Sequence, residues 1–179
     1  QTGGPAAFAI RATLAATLSP TWGVYSGFEL YESVALREGS EEYLDTEKFE
    51  YRPRDWAAAE REGRTLAPYL TLLNDIRRSA LPLQDLRSLR FHRTEDPEVI
   101  AYSKRVGTQT TLVVCSLDPH GVRETTVWWD MPAIGLDWSD RFIAHDHVTG
   151  QTFTWGQATY VRFDPVEVVA HIVSIEQAP

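Results

Sequence analysis

Apolar and polar positions change their spacing once along the chain, and the change divides it in two. After Gly3-Gly4-Pro5 comes AAFAIRATLAATL, a stretch apolar on nearly every side. Pro suits a first helical turn, where its missing N–H costs nothing. A helix this apolar is expected to be buried on most of its surface. Ser19-Pro20 should end it. Thr21 to Ser26 (TWGVYS) is short, aromatic and β-branched between Pro20 and Gly27, which predicts a buried strand. Residues 27–55 show no sustained period and are dense in charge, which predicts a long functional loop. Asp55 is placed to cap a short helix through about Glu62. Leu66, Tyr69, Leu70, Leu73 and Ile76 then recur at helical spacing and predict an amphipathic helix over 65–79, closed near Pro82. Helix, strand, loop, helix is the order found at the end of an alternating βα array.

From Leu86 the period becomes two. Strands are predicted at 87–93, 98–105, 110–117, 123–129, 141–147, 151–155 and 168–175. Turn signals separate them: Asp96-Pro97, Gly107, Asp118-Pro119-His120-Gly121 and Thr149-Gly150. This rhythm predicts an antiparallel sandwich or barrel. The expected fold class is therefore α/β plus all-β. Residues 1–83 would form the C-terminal part of a (β/α)8 barrel, and residues 84–179 a C-terminal β-sandwich domain. The helical part is too short to close such a barrel, which takes ~200 residues or more. With Gln1-Thr2-Gly3-Gly4-Pro5 reading as a loop interior, the chain is expected to be the C-terminal piece of a larger enzyme.

Composition narrows the partners. The net charge is -8, which argues against nucleic acid or an anionic membrane surface, since both call for clustered Lys and Arg. No apolar run approaches the ~20 residues of a membrane span. Cys115 is the single cysteine and sits inside the apolar run Thr111 to Leu117. It reads as a buried core thiol rather than a nucleophile.

Four constellations carry candidate chemistry. In Gly27-Phe28-Glu29, the glycine permits a tight turn at a strand end, and Glu29 would face the mouth of a barrel. The spacing fits at least as well a turn glycine beside a salt-bridged carboxylate. In Glu47-Lys48-Phe49, Lys48 could donate to sugar hydroxyls while the ring packs on a sugar face. A solvated charge run with one buried Phe fits the same residues. His145-Asp146-His147 puts two imidazoles on one strand face, but no third ligand is near, so a surface-polar segment is expected rather than a metal site. Trp128, Trp129, Trp138, Trp155 and Tyr160 could make a sugar-stacking platform, yet rings in strands of a sandwich usually fill its core.

Longer stretches resemble a known family. Ser19-Pro20-Thr21 through Gly27-Phe28-Glu29 is similar to the eighth-strand signature of the α-amylase superfamily. AIRATLAATLSPTWGVYSGFELYE, REGSEEYLDTEKFEYRPRDW, LNDIRR and the later TWGQATYVRFDP together resemble the α-1,4-glucan:maltose-1-phosphate maltosyltransferases. The resemblance implies a retaining enzyme on a (β/α)8 barrel that moves maltosyl units from maltose 1-phosphate to the non-reducing end of α-1,4-glucans. Its Asp nucleophile, Glu acid/base and stabilising Asp would lie upstream, so no catalytic residue is expected in this chain. It assigns Lys48, with Glu47 and Phe49 beside it, to the -2 sugar subsite. The family often has Tyr where Phe49 stands, which removes a hydroxyl contact. Glu29 becomes a structural rim carboxylate. No metal or organic cofactor is implied. The implied partners are the N-terminal remainder of the same enzyme, the two substrates and a second copy in a cytoplasmic homodimer. The alternatives are an amylase-superfamily hydrolase or trehalose-forming isomerase. From another class comes a non-catalytic glucan-binding sandwich, which would need exposed Trp side chains.

Overall fold

The computed structural model describes residues 3–40, 42–44 and 51–177. Helix α1 (Gly4–Leu18) carries Pro5 in its first turn and ends at Ser19, whose backbone is extended ahead of Pro20. Asp55 caps α2 (Trp56–Arg61) by accepting from the Ala58 N–H at 2.8 Å. Helix α3 (Ala67–Ser79) buries the stripe Leu70, Leu73 and Ile76. A short 3-10 turn, Leu81–Gln84, follows with Pro82 and Leu83 buried.

The strand expected at Thr21–Ser26 does not form: the segment is irregular. Trp22 is tied to Asn74 by an indole hydrogen bond of 3.3 Å, but Val24 and Tyr25 are exposed. A strand exists only against a neighbour that accepts and donates its backbone bonds, and among the described residues none lies alongside.

Among the described residues the second half contains eight strands: β1 (Arg90–Thr94), β2 (Val99–Val106), β3 (Gln109–Ser116), β4 (Arg123–Trp128), β5 (Phe142–Asp146), β6 (Thr152–Trp155), β7 (Ala158–Phe163) and β8 (Ala170–Gln177). A one-turn helix, α4 (Met131–Ile134), joins β4 to β5. All pairings are antiparallel, in the order β6-β5-β8-β3-β2-β1-β4-β7. Strand β1 makes the fold double over. Arg90–His92 pair with β2, whereas Arg93 and Thr94 pair with β4. One continuous ladder thus becomes two facing layers, as the sandwich-or-barrel expectation required.

Between the layers lie Val99, Ala101, Leu112, Val114, Val127, Trp129, Phe142, Ala144, Trp155, Val161, Phe163 and Val173. Strand β7 was not among the predicted strands. Its residues alternate strictly, with Thr159, Val161 and Phe163 inward and Ala158, Tyr160 and Arg162 outward. This alternation corrects the core assignment of Tyr160, which is exposed; so is Trp138, which sits on a turn rather than in a strand. Trp129 and Trp155 are buried as expected.

The helices cover the opposite face of the larger layer. Phe8, Ala12, Ala16, Leu70, Leu73, Ile76 and Leu83 pack there on Tyr102, Val113 and Ile172. Strand β3 is therefore buried on both faces, which explains its continuous apolar run. Cys115 within it is fully buried, and burial pushes its thiol up to about 12. Polar groups lock the same boundary. The fully buried Lys104 donates to the Leu18 carbonyl at 3.1 Å. Arg77 donates to the carbonyls of Ala16, Ser19 and Pro20. Two cations thus meet the orphan carbonyls at the C-terminus of α1, where the helix dipole favours positive charge.

Candidate functional site

The charged segment after Gly27 folds into a rim of interlocked side chains. Gly27 has φ 102°, and a Cβ there would collide with the Glu32 carboxylate and crowd the Arg54 guanidinium. Only glycine holds this turn without strain. The chain then makes a 3-10 turn, Phe28–Leu30. Phe28 and Tyr31 pack on Phe8 of α1, with ring centroids 4.8 and 5.4 Å away. That contact anchors the rim to the helical layer.

Glu29 is fully engaged. Its carboxylate accepts from the Gly27 N–H at 2.9 Å and from the Trp56 indole at 2.7 Å. Its carbonyl accepts from the Leu66 N–H at 2.8 Å and the Thr65 hydroxyl at 3.0 Å. Four bonds from three segments make it a positioning group for the turn, the role the resemblance implied.

The sequence reading did not single out the ion-pair centre of this rim. Glu32 receives Arg54 through two bonds of 2.8 and 3.0 Å, and Arg52 approaches it at 3.4 Å. Arg54 also reaches the hydroxyl and carbonyl of Ser26. The hydrogen bond from Arg54 holds the Glu32 carboxyl below the usual range against the opposing effect of burial, with the charges of Arg54 and Arg52 adding to it. A signal was present in Arg52-Pro53-Arg54: in an extended segment, i and i+2 share a face. The carboxylate that answers them lies about 20 residues earlier in the chain, which periodicity does not reveal.

Glu47, Lys48 and Phe49, the three expected sugar-contact residues, lie outside the described residues. The described residues before them are ordered by Ala35 bridging Tyr43 and by the bonds Leu36 N–H to Glu42 and Leu44 N–H to Val34.

The His145-Asp146-His147 segment is not uniformly at the surface. His147 is exposed, but Asp146 is 2% exposed. Its carboxylate accepts from His171 Nδ1 at 2.8 Å, the Thr149 hydroxyl at 2.6 Å and the backbone N–H groups of Val148, Thr149 and Ile172. Burial alone would push this carboxyl up; the bonds from His171 and Thr149 more than offset it, and the net shift is downward. Asp146 therefore builds the β5–β6 turn. Among the described residues no group of three or more His, Cys, Asp or Glu side chains is arranged to hold a metal. No helix there is long and apolar enough to cross a membrane.

Residues 91–175 match the family model described as GLGE, C-terminal. The chain is 56% identical over 177 residues to alpha-1,4-glucan:maltose-1-phosphate maltosyltransferase 2 of Streptomyces coelicolor, covering 99% of this chain and 26% of that protein. It is 50% identical over 181 residues to the correspondingly named proteins of Mycolicibacterium smegmatis and Mycobacterium tuberculosis. This chain is homologous to those maltosyltransferases. It spans about a quarter of their length. The same fold occurs in a maltogenic alpha-amylase from Thermotoga neapolitana, with TM-score 0.62 and 15% identity over 95% of this chain and 36% of that one. The alpha-amylase of Geobacillus thermoleovorans, solved with acarbose, shares it at TM-score 0.57 and 13% identity, over 94% of this chain and 33% of that one. These structural neighbours extend across the helices as well as the β-domain, so the two parts recur together.

Proposed function

We propose that the protein carrying this chain transfers maltosyl units from maltose 1-phosphate to the non-reducing end of α-1,4-glucans. The observation that carries this reading is 50–56% identity to named maltosyltransferases across 98–100% of the chain. In this reading residues 1–83 are the end of a (β/α)8 barrel and residues 84–179 its C-terminal sandwich. The reacting carboxylates stand on barrel strands outside this chain, and the reaction is a double displacement through a covalent maltosyl-enzyme. Exposed Val24, Tyr25, Val34, Leu36 and Tyr51 around the rim then face the remaining barrel, which supports that placement. The Glu32–Arg54 pair and the Ala35–Tyr43 bridge order the described residues that flank residues 45–50 in the sequence. Lys48, with Glu47 and Phe49, holds the far sugar of the donor maltosyl unit. The active unit is a cytoplasmic homodimer.

The test is phosphate release from maltose 1-phosphate with maltohexaose as acceptor. Turnover that lengthens the acceptor two glucose units at a time is expected. Loss of one charged hydrogen bond is worth about 1.5–3 kcal/mol, so Lys48→Ala should lower kcat/KM roughly 10- to 150-fold. Release of free maltose without chain lengthening would replace the transferase by a hydrolase.

A further inference from the structure

We propose that the β-domain carries a second α-glucan site of its own, a groove beside Trp138. Trp138 is 56% exposed, whereas the sandwich buries Trp129 and Trp155 almost completely. The indole N–H groups of Trp22, Trp56, Trp128 and Trp129 each donate to a side chain, namely Asn74, Glu29, Glu95 and Thr159. Those of Trp138 and Trp155 donate to no group among the described residues, and of these two rings only Trp138 is exposed. An exposed large ring with an unused donor loses the burial its size offers.

The ring is nevertheless held on a rigid turn. The Asp137 N–H donates to the Asp140 carboxylate at 2.9 Å, and the Asp140 N–H returns a bond to the Asp137 carbonyl at 3.0 Å. A groove of about 360 Å³ is lined by Trp138, Asp140, Arg141, Thr154, Trp155 and Gln157. That volume lies at the small end of ligand sites, about 300–1,000 Å³. Arg141 spends one N–H on the Thr154 carbonyl at 3.4 Å. Asp140 and Gln157 stand among the same lining residues.

One flat apolar ring beside adjacent donors and acceptors of both signs suits a neutral polyhydroxylated ligand. A pyranose has apolar C–H faces for the indole and equatorial hydroxyls for the Asp, Arg and Gln groups. Asp140 in the lining and the chain's net charge of -8 disfavour a polyanion. The choice of α-glucan among sugars rests on the maltosyltransferase reading. A site on the β-domain would keep the enzyme on a long chain while the barrel acts at its end, raising the effective concentration of chain ends.

Affinity electrophoresis of the intact protein in native gels containing glycogen tests this. The wild type should be retarded. Trp138→Ala should bind about ten-fold more weakly, with most binding kept in Trp138→Phe. Gln157→Ala, a change elsewhere in the lining, should weaken binding several-fold. Absence of retardation of the wild type, or equal retardation of wild type, Trp138→Ala and Gln157→Ala, overturns the site. Transfer to maltohexaose, measured on the same preparations, separates the two proposals. Retardation that depends on Trp138 without any transfer removes the enzymatic reading and leaves the site. Normal transfer with retardation independent of Trp138 removes the site and leaves the reaction.

Discussion

Thr17 and Tyr102 offer a direct measure of how firmly the helical layer is bound to the sandwich. Thr17 lies in the last turn of α1 and Tyr102 in the middle of β2, and both are fully buried. The Thr17 hydroxyl already donates to the Thr13 carbonyl at 2.6 Å. The 2.6 Å contact between the two hydroxyls must therefore have Tyr102 as donor. Burial raises the Tyr102 phenol well above its ordinary value, so it keeps that proton. Thr17→Val removes the acceptor and leaves a phenol O–H buried without a partner, at a cost of about 1–3 kcal/mol. Tyr102→Phe removes the donor and leaves Thr17 its bond to Thr13, so it should cost only about 0.5–1.5 kcal/mol. The double variant strands no polar group and should be no less stable than Thr17→Val alone. Hydrogen exchange of peptides covering 8–18 in the intact protein reads the opening of α1 directly. Exchange should quicken roughly 5- to 150-fold in Thr17→Val. A change below about two-fold, or a double variant worse than Thr17→Val, would refute the docking of α1 on β2.

The remaining predictions concern the rim, the turns and the core. Gly27→Ala forces a side chain into the left-handed region, at about 1–2 kcal/mol, and against Glu32; proteolysis after Arg54 should accelerate, and unchanged cleavage would count against the rim. Asp146→Asn sets an amide N–H₂ against the donors that the carboxylate accepts, so a loss of about 1–3 kcal/mol for each donor left unpaired is expected in chemical denaturation. His92 is pushed down to about 4 by burial, with its Nδ1 accepting from the Asp130 N–H at 3.1 Å. Its folded value lies below its unfolded one, so the stability that neutral His92 contributes is complete above about 6.5 and falls as the pH drops toward 4; His92→Asn should flatten that part of the profile. Cys115 should stay unmodified by a thiol reagent until the protein unfolds, and rapid native labelling would contradict its burial.

Periodicity along the chain was enough to reveal where helix gives way to strand. The stripe at Leu70, Leu73 and Ile76 and the cap at Asp55 rest on contacts within a few residues, and both formed as expected. Strands β2, β3, β5 and β8 were legible because burial wrote apolar runs or alternation into them. The longer motifs around Gly27 and the later TWGQATYVRFDP led to the same family as the measured identities. What the sequence left open depends on partners distant in the chain. Thr21–Ser26 has strand composition but no neighbour to pair with among the described residues, and backbone bonds cannot be made alone. The alternation in Ala158–Phe163 is as strict as in any strand, yet its rings read as core until pairing with β4 turned Tyr160 outward. Asp146 looked like surface because its five donors come from a turn and from β8, about 25 residues on. Glu32 and Arg54 meet across 22 residues of charged loop. Local contacts are encoded by spacing; cross-chain ion pairs, face assignments and the exposed indole of Trp138 follow from where β1 bends one sheet into two layers, which only the assembled structure decides.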